Sequence, residues 1–135
     1  MEYRRLEFSE VGTLIHSSGE ADFASTVKAD FSEVAGEYII EMDLPGCVND
    51  KDKGRRDVIV KPELENFITI TGERKHPPGY QDRTFRTQQR TFGSFTQTFK
   101  FPRNIDKKKV KISLDFGVLR IVAPKETEVP EEYEF

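Results

Sequence analysis

An all-β fold of antiparallel type, a sandwich or barrel, is predicted by three features of this sequence. Apolar residues recur at every second position through several short segments, turn-forming residues separate those segments, and no long stretch shows helical spacing. Six or seven such strands favour two packed layers of sheet. The chain of 135 residues is long enough for one domain with a single core plus tails.

Three strands are predicted in the first half of the chain. Residues 38–44 end at Pro45-Gly46, a pair that favours a turn because proline fixes φ and glycine accepts a positive φ. Residues 57–61 and 67–71 are rich in β-branched side chains, which suit a pleated surface. We therefore expect each of these segments to pair within a sheet.

The clearest alternation lies in residues 94–101. Phe95, Phe99 and Phe101 share one face of this segment with Gln97, whereas serine, threonine and lysine occupy the other. Residues 110–114 also alternate, and a turn at residues 115–117 leads into an apolar strand at residues 118–123. This second pattern predicts a β-hairpin.

Both ends of the chain lack a strand pattern. Residues 1–28 mix charges with scattered apolar side chains, and they are predicted to form a flexible N-terminal arm before a domain at residues 29–125. Residues 126–135 are acidic and contain Pro130, so they are predicted to be a solvated tail or a docking strap.

Composition excludes several classes of function. The net charge of -3 and pI near 5.5 argue against nucleic acid as a partner, since its binding needs clustered cations. Cys47 is the only cysteine, which rules out an intrachain disulfide and indicates a reducing compartment. No segment has the length and apolarity of a signal peptide or membrane span, so we expect a cytoplasmic protein without membrane contact.

No motif predicts catalysis, a cofactor or a metal. His16 lies in the arm and His76 beside a double proline, so a shared site is not expected. Cys47 has no histidine or lysine nearby in sequence to lower its pKa, although reversible oxidation or an intermolecular disulfide stays open. Asp50 and Asp52 superficially resemble a calcium loop, but basic residues follow them and the required glutamate is absent.

Five motifs from about residue 27 to residue 125 resemble the α-crystallin domain of the small heat-shock proteins. In chain order they are Leu44-Pro45-Gly46, Ile70 to Lys75 for "I-S-G-E-R-K", Arg90 to Phe95 for "R-x-x-G-x-F", Phe99 to Pro102 for "F-x-x-P", and Ile112 to Leu119 for "A-x-x-x-x-G-V-L" with isoleucine in place of alanine. Each motif is short, but all five occur in the family's order.

This resemblance implies an immunoglobulin-like β-sandwich and an ATP-independent chaperone, a holdase that binds unfolding client proteins. It also implies a homodimer of the plant and bacterial type, in which a loop strand pairs with the partner's sheet. Here the loop would span residues 75–92, and such long insertions are normally functional or disordered. Its candidate strand and the adjoining arginine give the candidate dimer interface: Phe85, Arg86, Thr87, Gln88, Gln89 and Arg90.

Two departures from the family pattern bear on assembly. Gln89 stands where the family usually has an acid before the arginine, so an ion pair made by that acid across the dimer would be missing. The tail offers Val129-Pro130 instead of the I-x-I/V motif with which relatives plug a groove on a neighbouring dimer. Assembly into a larger homo-oligomer is therefore left open.

Two apolar surfaces are candidates for client binding. The arm contributes Tyr3, Leu6, Phe8, Leu14, Ile15 and Phe23. A groove between two strands contributes Val58, Val60, Val110, Ile112 and Leu114, for which ordinary core packing is equally compatible. The alternative function is a co-chaperone or docking module of the same fold with one dedicated partner, and an enzyme is the least expected class.

Overall fold

The computed structural model describes residues 13–19 and 21–127. Its elements are β1 (Thr13–Gly19), α1 (Ala21–Ala24), β2 (Ala29–Val34), β3 (Glu37–Asp43), β4 (Asn49–Asp50), β5 (Arg55–Arg56), β6 (Val58–Glu63), β7 (Phe67–Arg74), β8 (Gly93–Lys100), β9 (Lys111–Asp115) and β10 (Val118–Pro124). Single 3₁₀ turns lie at Tyr80–Asp82 and Lys107–Lys109.

Two four-stranded sheets form the body of the protein. One sheet has the order β1-β8-β7-β6 and the other has the order β2-β3-β10-β9, with antiparallel pairing throughout. The strands β4 and β5 make a separate two-stranded ribbon. The prediction of an all-β antiparallel sandwich is confirmed.

The core fills the space between the two sheets. Phe95, Gln97 and Phe99 of β8 are buried, as the alternation predicted, as are Gly93 at the start of the strand and Phe101 after its end. The facing sheet contributes inward side chains from β3 and β10, namely Tyr38, Ile40, Met42, Leu119, Ile121 and Ala123. Phe31 on β2 lies within 6.0 Å of the rings of Tyr38, Phe99 and Phe101, which closes one end of the core.

Two of the turn segments that the sequence predicted meet at one end of the sandwich. The β9–β10 hairpin turns through Phe116 and Gly117, both at positive φ, and Gly46 also has a positive φ. The backbone N–H of Leu44 donates a hydrogen bond to the carbonyl of Gly117 over 2.6 Å. A side chain at Gly117 would press on Pro45, since its Cβ would lie 3.2 Å from the Pro45 Cα.

The sandwich begins earlier in the chain than the sequence predicted. β1 pairs with β8, and Phe23 and Val27 are buried in the core. The predicted boundary between residues 28 and 29 therefore falls inside the folded unit. Residues 1–12 and 128–135 lie outside the described residues. Among the described residues, no helix has the length and apolar character needed to cross a membrane.

Candidate functional site

The loop between β7 and β8 packs around Tyr80. This side chain is buried between the imidazole of His76, whose ring centroid is 4.2 Å away, and the ring of Phe92 at 5.1 Å. The ring of Phe85 lies 4.8 Å from Tyr80. The predicted insertion is thus an ordered loop with a small aromatic cluster of its own.

The predicted interface residues lie in the outer part of this loop. Residues 85–90 are exposed and form no strand within the single chain, and the backbone bends at Arg86. Gln88 Nε2 donates a hydrogen bond to the Tyr80 hydroxyl over 2.9 Å. Pairing of this segment with a second chain stays a prediction.

Two arginines flank the base of the loop. The guanidinium groups of Arg74 and Arg90 lie 5.2 Å and 5.1 Å from the centroid of the Phe92 ring, at cation–π distance. A shallow cavity of about 380 Å³ beside them also contacts Asp43 and Gln89. The loop base is therefore positively charged and held by one aromatic ring.

A buried carboxylate, which the sequence analysis did not single out, anchors the neighbouring turn. Asp57 accepts hydrogen bonds from the Val48 backbone N–H and from Arg55 Nε, each over 2.9 Å. Lys75, the first residue of the loop, lies 3.8 Å from its second oxygen. The only sequence signal was an aspartate directly before an apolar strand.

Cys47 is an inert thiol in this setting. Its side chain is buried, and its Sγ lies 3.5 Å from the carbonyl of Glu73. Burial, with a smaller contribution from the nearby Asp57 carboxylate, raises the pKa of Cys47 to about 11. A group so far from its thiolate form at neutral pH is a poor nucleophile.

The predicted groove residues fall into three groups by burial. Val58 is fully in the core, and Val60, Val110 and Leu114 are partly buried against it. Ile112 alone is strongly exposed, at 48%. Val58 packs between the sheets, in agreement with the alternative of ordinary core packing, and its role in a groove stays a prediction. Since β6 and β9 are edge strands, Ile112 still lies on an open edge.

The residues predicted for client binding on the arm are also divided. Tyr3, Leu6 and Phe8 lie outside the described residues. Leu14 and Ile15 belong to β1, and Leu14 is exposed. Phe23 is 2% exposed and packs edge-on against Phe95 at 5.9 Å. Its assignment as a client contact was wrong, because this ring is part of the core.

A second groove, not expected from the sequence, lies between the edges of β1 and β2. It measures about 450 Å³ and is lined by Leu14, Val27, Phe31, Gln97 and Phe99 among others. The buried Gln97 donates a hydrogen bond from Nε2 to the Val27 carbonyl over 3.2 Å. Since β1 and β2 meet at this side, β6 and β9 share the opposite side of the sandwich.

We find no metal centre in the part of the chain that the structure describes. Within residues 13–19 and 21–127, no three His, Cys, Asp or Glu side chains cluster in a way that could hold a metal ion. His16 lies in β1, whereas His76 is stacked on Tyr80 in the loop. The described part of the chain presents open edge strands and an exposed loop segment.

Comparison with known proteins agrees with this architecture. The family model described as "Hsp20/alpha crystallin family" matches residues 30–134. The 17.6 kDa class I heat shock protein of Solanum peruvianum is 29% identical over 119 residues, which cover 88% of this chain and 73% of that protein. The small heat shock protein C4 of Rickettsia felis is 25% identical over 87% of this chain and 68% of its own length.

Solved structures show the same fold. The structure of a small heat-shock protein from Xylella fastidiosa, described as having a distinct high order structure, aligns with a TM-score of 0.64 at 27% identity and covers 82% of this chain and 95% of that one. Heat shock protein 16.0 from Schizosaccharomyces pombe aligns with a TM-score of 0.64 at 25% identity, covering 81% of this chain and 73% of the other.

Proposed function

We propose that this chain, which belongs to the Hsp20/alpha crystallin family, is an ATP-independent holdase that binds unfolding proteins and suppresses their aggregation. Members of this family are generally chaperones. One observation carries the proposal for this particular chain: its edge strands each hold an exposed apolar side chain. These are Val34 on β2 at 50%, Ile59 on β6 at 42% and Ile112 on β9 at 48%, with Leu14 on β1 also exposed.

Such edges suit unfolding clients on physical grounds. An unfolding protein exposes apolar side chains and unpaired backbone, and an open edge strand offers both kinds of contact. Each apolar side chain buried against a client contributes roughly 1.5–3 kcal/mol before the cost of ordering is subtracted. Several weak contacts of this size give reversible binding without a nucleotide. Since the single cysteine is buried and unpaired, a reducing compartment such as the cytoplasm is the proposed location.

The test is a heat-aggregation assay on several unrelated client proteins, with the chaperone near equimolar ratio. The variant Ile59→Asp/Ile112→Asp should lose most of the suppression, whereas the matched control Lys61→Asp/Lys111→Asp changes charge on the same two strands and should lose much less. If the isoleucine variant suppressed aggregation as well as the lysine control does, these edges would not be the client surface. Protection of one client alone, with none for the rest, would favour the docking module with one dedicated partner.

Client binding by the N-terminal arm is better tested by point substitutions than by deletion of the arm. Truncation through residue 24 would delete β1 and the buried Phe23, so a loss of function could reflect unfolding. Serine substitutions at Tyr3, Leu6 and Phe8 avoid this problem, because these residues lie before the described sandwich. Unchanged aggregation suppression by the triple variant would contradict a client-binding role for this part of the arm.

The proposed assembly unit is a homodimer in which residues 85–89 add a strand to the partner's sheet. The long loop and its exposed segment support this proposal. Successive N–H groups of a strand point in opposite directions, so either Arg86→Pro or Thr87→Pro removes an N–H that faces the partner. We expect one of these variants to sediment as a monomer where the unmodified protein is dimeric. Unchanged sedimentation of both would exclude strand exchange through this segment.

A further inference from the structure

The candidate strand is held on its own subunit by two contacts with a single side chain. The Phe85 ring packs on the Tyr80 ring, and Gln88 donates its hydrogen bond to the Tyr80 hydroxyl. Arg83 approaches the same ring, with its guanidinium carbon 5.9 Å from the centroid. Tyr80 itself is fixed from behind by His76 and Phe92.

These two contacts cannot both survive in a strand. Residues 85 and 88 are three positions apart, and in an extended strand side chains at odd separations lie on opposite faces. Here both side chains reach the same tyrosine, which is possible because the chain bends at Arg86. The consecutive residues Thr87, Gln88 and Gln89 all line one cavity of about 170 Å³, as expected for a curled segment but not for a strand, where neighbours lie on opposite faces.

We propose that Tyr80 is a clamp that stores residues 85–88 in a closed form and thereby sets the affinity of the dimer. This inference rests on the proposed dimerisation through the same segment. The loop must release the bond from Gln88 to the Tyr80 hydroxyl before it straightens to pair with a partner. The closed form therefore competes with the dimer.

The expected size of the effect follows from one neutral hydrogen bond. Loss of such a bond shifts the balance between closed and open loop by about fivefold. The apparent dissociation constant equals the intrinsic constant divided by the competent fraction, and a symmetric exchange requires two open loops. A fivefold rise in the open fraction of each chain thus lowers the apparent dimer dissociation constant by roughly 25-fold.

Tyr80→Phe tests the clamp in the full chain. It removes the hydroxyl, keeps the ring between His76 and Phe92, and leaves the pairing segment unaltered. Sedimentation over a dilution series should show dimerisation about 25-fold tighter than in the unmodified protein. Gln88→Ala should act in the same direction, Gln89→Ala should serve as its matched control, and the double variant Tyr80→Phe/Gln88→Ala should gain no more than either single change. A dissociation constant that is unchanged or raised by Tyr80→Phe would overturn the proposal.

Limited trypsin digestion measures how often the loop opens in the monomer, independently of dimerisation. Cleavage after Arg86, at a concentration where only monomer is present, should be about fivefold faster in Tyr80→Phe, because cleavage of an opened segment follows its population. Cleavage at Arg55 and Arg56 in the β4–β5 ribbon should not change. An unchanged rate after Arg86 would overturn the clamp in any oligomeric state. Faster cleavage of Tyr80→Phe together with unaltered dimerisation would show that the clamp exists but does not set the affinity of the dimer, which overturns the proposal. Unaltered sedimentation of both proline variants would instead contradict the proposed dimer itself.

Discussion

Replacement of Gly72 by alanine should destabilise the sandwich through a steric clash with one aromatic ring. Gly72 lies in β7 and pairs with Phe95 of β8, whose ring crosses the space that a Cβ would need. A Cβ at Gly72 would lie 2.4 Å from the Phe95 Cε1 atom, about 1 Å closer than an ordinary contact. The ring has little freedom to retreat, since Phe95 is buried and packs on Phe23.

The magnitude combines two opposing effects. Forcing a methyl group into a packed core costs roughly 1–3 kcal/mol, whereas replacing glycine by alanine in an ordinary backbone conformation gains about 0.4–1 kcal/mol from the unfolded state. Gly72 is not among the glycines at positive φ, so no backbone strain is added. We expect a net loss of about 1–2 kcal/mol, which lowers the Tm by about 5–10 °C for a domain of this size.

A double-mutant cycle with Phe95→Leu assigns this cost to the ring. Urea unfolding of the four proteins should show that Gly72→Ala is nearly neutral, or slightly stabilising, once the ring has been removed. Gly54→Ala is the matched control, because Gly54 has a φ of 66° and no atom near its Cβ position, so its cost is backbone strain and should be the same in both backgrounds. Equal destabilisation by Gly72→Ala with and without the Phe95 ring would refute the reasoning.

Four further outcomes are expected. Because burial raises the pKa of Cys47 to about 11 from a usual 9.0, iodoacetamide should alkylate the folded protein at pH 8 roughly a hundredfold more slowly than the unfolded chain. The folded thiol holds its proton more tightly, so its contribution to the free energy of unfolding should be constant below pH 9 and should fall between pH 9 and pH 11. Cys47→Ser should remove this contribution, whereas the decline due to Tyr38, whose pKa burial also raises, should stay. Phe116→Asn should raise the free energy of unfolding by about 0.5–1 kcal/mol in urea titrations, since the exposed Phe116 has a φ of 53° that asparagine tolerates better. Asp57→Asn should lower it by about 2–3 kcal/mol through loss of charge-assisted bonds to Arg55 and a backbone N–H, whereas Asp115→Asn at an exposed position should change it little.

Much of the fold could be predicted because the pattern of several strands is visible within a short stretch of sequence. In β8 and β10 the alternating side chains also alternate in burial, and the turn before β10 has the glycine its positive φ requires. The order of the short motifs added the sandwich topology. The insertion between β7 and β8 was visible from its length and from the double proline that opens it.

The features that were missed depend on partners far away in sequence. β1 has no clear alternation of its own, and it forms because it can pair with β8, with Thr13 opposite Lys100. Phe23 looked like a residue of a free arm, but the ring is buried because it packs edge-on against Phe95 of β8, which is 72 positions away in sequence. The clamp at Tyr80 was invisible for a similar reason, since only the folded loop brings Phe85 and Gln88 to one side chain.

In three edge strands an exposed apolar residue lies close to a charged residue or a proline that disfavours permanent pairing. On β6 the exposed Ile59 is followed by Lys61 and Pro62, and proline removes one N–H from that edge. On β9 the exposed Ile112 adjoins Lys111, and on β2 Val34 adjoins a glutamate. Charge and proline next to an exposed apolar side chain disfavour continuous strand-to-strand growth but still allow a short contact. The proposed holdase function requires both features. An edge without charge or proline would pair with other copies of the same chain and aggregate, and an edge without apolar side chains would not bind an unfolding client.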